Sequence, residues 1–198
     1  MARRATPVPL AGTSSGVDRS LIAKTCNFET ARLSAVEWRT RATAGGPDIV
    51  DLVIDLLTPA VTSTLPIGWQ GNYDHERARQ WIAERDHDGT VLLVTERATG
   101  EPVGLVILGE VPAGPDPGAV ELRLGYMLAE SAWGQGFATE LVGGVVNWCR
   151  TQEAVCSIAG GVEARNPASE RVLAKNDFVA VTEAEETGEK IYELRIHH

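Results

Sequence analysis

Cysteine is scarce in this chain, with three among 198 residues. Cys26, Cys149 and Cys156 show no metal-ligand spacing, and their odd number argues against a disulfide framework. We therefore expect free thiols, a cytoplasmic location and no metal site. Cys149 and Cys156 lie among apolar residues, which favours a place for both in the core.

Long apolar runs are also missing. No stretch approaches the length that a membrane-spanning helix requires, and the first 25 residues lack the apolar middle of a secretory signal. We predict no membrane partner, a disordered tail over residues 1–25 and a single domain over 26–198. A chain of 198 residues with 43% hydrophobic content is enough for one core.

Positive charge is in short supply, because 18 Lys and Arg residues face 27 Asp and Glu residues, a formal net charge of −9. Nucleic acid is therefore excluded as an expected partner, since binding its phosphates requires a basic surface. An acidic surface instead attracts cationic molecules such as amines. Any anion site in this protein must gather its positive potential locally.

Two nucleotide-binding motifs are absent. There is no Gly-x-x-x-x-Gly-Lys-Ser/Thr, and Thr139 stands where the third glycine of Gly-x-Gly-x-x-Gly would be. Instead, a strand-like run leads into Trp133-Gly134-Gln135-Gly136, and an amphipathic helix follows at once. The first N–H groups of a helix have no partners and carry partial positive charge, and glycines let an anion come close to them. This turn suits a pyrophosphate, although two glycines can also serve only a tight turn.

Apolar periodicity and turn residues predict a mixed succession of strands and helices, which indicates an α/β or α+β fold. The helix after the glycine turn is expected to keep Leu141, Val142, Val145, Val146 and Trp148 inward. Asp74 is expected to cap a helix that ends at Asp86–Gly89. The predicted strands are 28–38, 91–95, 103–108, 120–128 and 155–163, with a closing hairpin of 178–181 and 190–195. The other predicted helices are 47–57 and 168–175, and 58–73 is predicted to be irregular.

A second segment strengthens the phosphate interpretation. It runs Asn166-Pro-Ala-Ser169-Glu-Arg-Val-Leu-Ala-Lys175-Asn-Asp-Phe178, about thirty residues after the glycine turn. Together the two segments resemble the GNAT superfamily of acyl-CoA-dependent N-acetyltransferases, and most of all its RimJ/RimL-like branch. The branch patterns are roughly Gly-Tyr-x-Leu-x-x-x-x-Trp-Gly-x-Gly-x-Ala-Thr-Glu and Asn-x-x-Ser-x-x-x-x-x-Lys-x-Gly-Phe. The resemblance extends from about residue 28 to 196 and is strongest over 120–178.

The resemblance implies a mixed, mostly antiparallel sheet flanked by helices, with two central strands splayed apart. Acetyl-CoA would enter between them, its pantetheine arm pairing with the backbone of 126–128 and its pyrophosphate lying on the N–H groups of 134–138. An N–H near Met127–Leu128 would polarise the acetyl carbonyl. The expected cofactor-binding residues are Tyr126, Met127, Leu128, Trp133, Gly134, Gln135, Gly136, Phe137, Ala138, Thr139 and Asn166.

The resemblance also suggests two catalytic residues. Ser169 matches a serine that donates a proton to the CoA sulfur in RimL-like enzymes, but a serine here could merely cap the helix. Glu121 lies where many family members have a strand carboxylate that accepts the amine proton through water. A plain solvent-facing pair with Arg123 is the alternative that the pattern itself favours, since the two residues share one face of the strand.

Trp69 and Tyr73 lie where the family forms its acceptor pocket, although both could be ordinary core aromatics. We predict direct acetyl transfer from acetyl-CoA to a primary amine, without a metal and without a covalent enzyme intermediate. A protein or peptide N-terminal α-amine is favoured, because its pKa of about 7.7–8.0 leaves it partly neutral, against about 10.4 for a lysine-like amine. A polyamine or aminoglycoside-like acceptor remains an alternative, as does a silent acyl-CoA-binding module. The resemblance is also compatible with a homodimer.

One departure from the family pattern affects a turn. The family's Lys-x-Gly-Phe becomes Lys175-Asn176-Asp177-Phe178. Asp adopts left-handed backbone geometry less readily than Gly. The geometry of this turn is therefore in question.

Overall fold

A computed structural model describes residues 22–43, 48–114, 116, 118–183 and 189–197. Its eight strands form one sheet in the order β1-β2-β3-β4-β5-β6-β8-β7. Every neighbouring pair is antiparallel except β5 and β6, which are parallel. The strands are β1 Phe28–Glu29, β2 Leu33–Glu37, β3 Thr90–Glu96, β4 Pro102–Pro112, β5 Val120–Leu128, β6 Val155–Val162, β7 Val179–Glu183 and β8 Lys190–Arg195. The predicted mixed, mostly antiparallel sheet is confirmed.

Helices cover both faces of the sheet. They are α1 Trp38–Thr43, α2 Ile49–Leu56, α3 Pro59–Thr62, α4 His75–Asp88, α5 Phe137–Cys149 and α6 Pro167–Ala174. One apolar cluster packs α5 and α6 against one face, and a second packs α2 and α4 against the other. No helix in the described part of the chain is both long and apolar enough to cross a bilayer.

The elements around the glycine turn match their predicted positions. β5 has the predicted bounds, and α5 buries Leu141, Val142, Val145, Val146 and Trp148 as expected. Asp74 caps α4, its side chain accepting a hydrogen bond from the Arg77 N–H. The remaining strands differ from prediction by a few residues at their ends.

The predicted first strand, 28–38, is wrong. β1 ends at Glu29, and the N–H of the next residue, Thr30, donates to the Leu33 carbonyl at 2.8 Å, which turns the chain back into β2. Helix α1 then begins at Trp38. The irregular stretch 58–73 also contains α3, which is capped by the Thr58 side chain.

Two predictions near the beginning of the chain fall partly outside the described residues. Helix α2 starts after its N-cap Asp48, while Pro47, the predicted first helical residue, lies outside the described residues. Of the predicted tail, residues 1–21 also lie outside them. Ile22–Thr25 form a 3₁₀ turn with Ala23 buried, so the folded part of the chain includes four residues that were assigned to the tail.

Cys156 is exposed rather than buried, whereas Cys149 and Cys26 are in the core. The cause is a β-bulge, because Val120 pairs with Val155 and the next residue, Glu121, pairs with Ser157. Cys156 is therefore the extra residue of the bulge and turns outward, with its thiol donating to the Val120 carbonyl at 3.3 Å.

Candidate active site

The central feature of the sheet is a gap between β5 and β6. Their pairing runs from Val120 opposite Val155 to Arg123 opposite Ala159 and then stops. Both strands continue, β5 to Leu128 and β6 to Val162, while the end of β5 stays paired with β4. The expected splay of the central strands is therefore confirmed, and it opens beyond Arg123.

Backbone groups of β5 line one edge of this gap. The Ala129 N–H donates to the Val103 carbonyl of β4 at 2.9 Å, and a Cβ on Gly104 would lie 2.4 Å from the Met127 carbonyl oxygen. Successive strand residues direct their backbone groups to opposite edges. Hence the backbone N–H and carbonyl of Met127 are directed toward β4, and those of Tyr126 and Leu128 are directed toward the gap.

Trp133 closes the end of β5. Its indole N–H donates to the Leu128 carbonyl at 2.9 Å, while half of the side chain remains exposed. The ladder with β6 has ended before Tyr126, so Tyr126 directs its N–H and carbonyl into the gap, and Leu128 directs its N–H there. The side chain of Met127 packs in the α2–α4 cluster on the far face.

The glycine turn lies directly before α5. Gly134 has φ 72° and Gly136 has φ 79°, the left-handed region in which side chains are strained. Gly136 is the N-cap of α5 and has no side chain to bond the first N–H groups. The N–H groups of Phe137, Ala138 and Thr139 follow in the first turn, where no helical carbonyl accepts them. The turn therefore presents a run of backbone donors.

Contacts of three side chains fix the conformation of the glycine turn. The Gln135 amide donates to the Ser131 carbonyl at 2.7 Å, and Phe137 is buried. Arg32, from the β1–β2 turn, donates to the Gln135 carbonyl at 3.0 Å and lies 4.3 Å from the centre of the Phe137 ring. Arg32 also pairs with Glu140 at 2.6 Å. No local pattern in the sequence links Arg32 to Glu140, because 108 positions separate them.

Ser169 lies at the third position of α6, and it does not cap that helix. Asn166 is the N-cap, and its Oδ1 accepts the Ser169 N–H at 3.1 Å. The Asn166 Nδ2 donates to the Thr64 hydroxyl at 3.3 Å, which joins α6 to the segment after α3. The alternative role of Ser169 as a cap is therefore wrong, and its hydroxyl is not needed for helix capping.

The side chain of Ser169 lies beside the phenol of Tyr126. Burial raises the pKa of Tyr126, and the neighbouring Ser169 side chain lowers it in part. The phenol oxygen is buried and forms no hydrogen bond of good geometry with any described residue. Ser169 thus lies at the open part of β5, on the face that carries α5 and α6.

Glu121 lies on the other face, in the paired part of β5. Ser157 donates to its Oε2 at 3.0 Å, and Arg123 pairs with its Oε1 at 2.7 Å. The pair with Arg123 is present, but only 18% of the Glu121 side chain is exposed, so this is not a plain solvent-facing pair. Tyr126 lies five positions beyond Glu121, roughly 17 Å along the strand.

Trp69 and Tyr73 belong to an aromatic cluster beneath α4. Tyr73 is buried, and its hydroxyl donates to the Trp69 carbonyl at 3.0 Å, while Trp69 is partly exposed. Arg77 lies 4.3 Å from the centre of the Tyr73 ring and Arg85 lies 4.3 Å from that of Trp69. Guanidinium groups thus already cover a face of each ring, so these faces do not form an open cage for an ammonium group.

Two carboxylates lie near the open end of β6. Burial raises the pKa of Glu189, and the charge of Glu163 raises it further. A Cβ on Gly161 would lie 2.8 Å from Glu189 Oε1, which places this carboxylate beside β6. Among the described residues, no group of three or more His, Cys, Asp or Glu side chains is arranged to hold a metal ion.

The sequence of this domain matches a known protein family over most of its length. Residues 28–179 match the model of the acetyltransferase (GNAT) domain. The chain belongs to the GNAT acetyltransferase family. No curated protein sequence matches it.

Solved structures of GNAT acetyltransferases share the fold at low sequence identity. A GNAT-family acetyltransferase from Bacillus anthracis superposes with a TM-score of 0.65 at 14% identity, over 86% of this chain and 98% of that chain. RimL, a ribosomal alpha-N-protein acetyltransferase in complex with coenzyme A, superposes with a TM-score of 0.63 at 17% identity, over 84% of this chain and 96% of that chain. Spermidine N-acetyltransferase from Vibrio cholerae, in complex with CoA and spermine, superposes with a TM-score of 0.59 at 17% identity, over 83% of this chain and 93% of that chain. These neighbours include protein and small-molecule acetyltransferases, so the likeness establishes the fold and leaves the acceptor open.

Proposed function

We propose that this GNAT protein transfers an acetyl group from acetyl-CoA directly to a primary amine, most favourably the α-amine of a protein or peptide N-terminus. The observation that carries the proposal is the gap between β5 and β6, which opens beside the exposed donors at the start of α5. A strand edge with unpaired backbone groups suits the amides of pantetheine, and a helix N-terminus suits a pyrophosphate.

The residues present fit coenzyme A. Tyr126 would pair with the pantetheine arm through its N–H and carbonyl, and the N–H groups of 134–138 would hold the pyrophosphate. Trp133, Gln135, Phe137 and Thr139 would shape the turn around these donors. Asn166 would meet the arm through the second N–H or the second lone pair of its side-chain amide, since its bonds to Thr64 and to the Ser169 N–H use one of each. Met127 would contribute through its side chain, since its backbone faces β4.

Coenzyme A supplies the acetyl group as an activated thioester. The Leu128 N–H is the donor we assign to the acetyl carbonyl, because it faces the gap, whereas the Leu128 carbonyl already accepts the Trp133 indole N–H. Ser169 would donate its hydroxyl proton to the departing sulfur, whose free thiol pKa is about 8.5. Ser169 lies on the α5–α6 face, so the amine would approach from the opposite face.

Glu121 lies on that opposite face and is our candidate base. It would act through water, since its oxygens are held by Ser157 and Arg123 and it lies well away from Leu128. This arrangement suits an amine that is already partly neutral, such as an α-amine. In a Glu121→Gln variant we expect kcat to fall most at low pH and to recover as rising pH deprotonates the amine. Equal loss at every pH would remove Glu121 from this role.

The acidic surface supports an amine acceptor of either class. Glu163 and Glu189 lie near the open end of β6 and would attract an ammonium group. Trp69 and Tyr73 would bound the acceptor side through packing, since arginines cover a face of each ring. Without an open aromatic cage, the site has less to offer a polyamine than an N-terminal peptide.

The test is acetyl transfer from acetyl-CoA to a matched set of acceptors, followed by the mass of the acetylated product. Mass is preferred to a thiol dye because the exposed Cys156 would react with the dye. The set comprises a peptide with a free α-amine and a lysine, the same peptide with its α-amine blocked, spermidine, and no amine. We expect acetylation of the free α-amine alone. Acetylation of spermidine alone would favour the small-amine alternative, and CoA binding without any product would favour a silent module.

A further inference from the structure

Behind the glycine turn lies an ion pair that no sequence motif predicts. Arg32 reaches from the β1–β2 turn, and its Nε and Nη2 both lie 2.6 Å from Glu140 Oε2. The Arg32 N–H and the Thr30 hydroxyl donate to Glu140 Oε1 at 2.8 and 2.6 Å. Four donors thus converge on one carboxylate in the first turns of α5.

That carboxylate poses an electrostatic problem for an anion site. Glu140 lies one residue beyond the three free N–H groups of α5, where its charge would compete with a bound phosphate for the positive end of the helix. Burial raises the pKa of Glu140, but the bonds from Thr30 and Arg32 outweigh it and lower the pKa, so the side chain is ionised at neutral pH. Its negative charge is balanced by the guanidinium of Arg32.

Arg32 also fixes a peptide group of the turn. Its Nη1 donates to the Gln135 carbonyl at 3.0 Å. In a trans peptide the carbonyl and the following N–H point in opposite directions. The Gly136 N–H is therefore directed away from Arg32. The same guanidinium stacks on Phe137, the first residue of α5, which limits its movement.

We propose that Arg32 is a positioning residue for the phosphates of coenzyme A. It neutralises Glu140 and holds the Gln135–Gly136 peptide so that its N–H faces the anion. This inference rests on the proposed function, because it assumes that coenzyme A binds at the glycine turn. It explains how an acidic chain with a net charge of −9 keeps the positive N-terminal end of α5 free of an opposing carboxylate charge at this site.

The test compares two acyl donors, acetyl-CoA and S-acetylpantetheine, which lacks the phosphates. For Arg32→Ala we expect kcat/KM with acetyl-CoA to fall tenfold or more, through KM, while kcat/KM with S-acetylpantetheine stays within twofold. Adding Glu140→Gln to Arg32→Ala should restore kcat/KM with acetyl-CoA to within about threefold of the wild-type value. The double variant removes the unpaired negative charge, so that only the contact with Gln135 is lost. Glu140→Gln alone should leave KM for acetyl-CoA unchanged or lower it, since Arg32 keeps its charge and its bond to the Gln135 carbonyl.

Arg97→Ala is the matched control. Arg97 is as exposed as Arg32 and bonds the same hairpin, through Thr30 and Glu29, without touching the glycine turn. The Arg97→Ala substitution should leave kcat/KM unchanged with both acyl donors. Equal losses with both donors in Arg32→Ala, or no recovery in the double variant, would overturn the proposal. A wild-type protein that uses neither donor would instead count against the proposed function itself.

Discussion

Ser169→Ala separates a proton-donating hydroxyl from a structural one. The substitution removes only the hydroxyl at the third position of α6. The Asn166 side chain still accepts the N–H of residue 169, at 3.1 Å in the wild type, so the helix keeps its cap. Alanine also favours a helix interior over serine by a few tenths of a kcal/mol. The free energy of unfolding should therefore stay within about 0.5 kcal/mol of wild type.

Activity should respond differently. Loss of a proton donor typically lowers the rate by 10²–10⁴-fold, and thiolate is already a fair leaving group, so we expect kcat to fall by about ten- to a hundredfold. This corresponds to about 1.4–2.7 kcal/mol of transition-state stabilisation. The KM for acetyl-CoA should change little, because binding is assigned mainly to backbone groups of β5 and the glycine turn.

Asn166→Ala provides the stability control for this variant. It removes the cap of α6 and the bond to Thr64, and should cost about 1 kcal/mol, which lowers the Tm by roughly 2–4 °C in a domain of this size. Steady-state kinetics and thermal unfolding would be measured on the same preparations. A Ser169→Ala protein with wild-type kcat would refute the donor assignment, whatever its stability.

Two further predictions concern stability. Asp177 has φ 67°, so Asp177→Gly should raise the free energy of unfolding by about 1 kcal/mol, whereas Asp177→Ala should not, since alanine is strained there too. For Glu140, whose pKa is lowered from 4.5, the stabilisation is fully present above about pH 4.5 and is lost as the pH falls through the lower folded value. The stability difference between wild type and Glu140→Gln should thus be constant near neutrality and shrink in acid, and a difference independent of pH down to acid unfolding would contradict this.

The sequence predicted the elements around the gap well, because their signals are local. An apolar strand, two glycines and a helical stripe define β5, the turn and α5 within about thirty residues. The positive φ of Gly134 and Gly136 agrees with a turn that glycine favours. At Asp177 the left-handed turn persists without glycine, so the departure from the family pattern leaves that geometry in place.

Features that depend on distant partners were missed. The break between β1 and β2 contains neither Gly nor Pro, and it is held partly by Glu140, 108 residues away from Arg32. The outward turn of Cys156 follows from the register between β5 and β6, which apolar neighbours do not reveal. Helix α3 had a local signal that was overlooked, since Thr58 and Pro59 form an N-cap followed by proline.

The most direct test of the account is the crystal structure of the protein with bound acetyl-CoA. We predict the pantetheine arm between β5 and β6, hydrogen-bonded to the backbone of Tyr126, with the pyrophosphate on the N–H groups of 134–138. The sulfur should then lie within hydrogen-bond reach of Ser169. Density for the nucleotide elsewhere, such as the surface groove between β1 and α5 lined by Phe28 and Trp148, with the gap empty, would contradict the account.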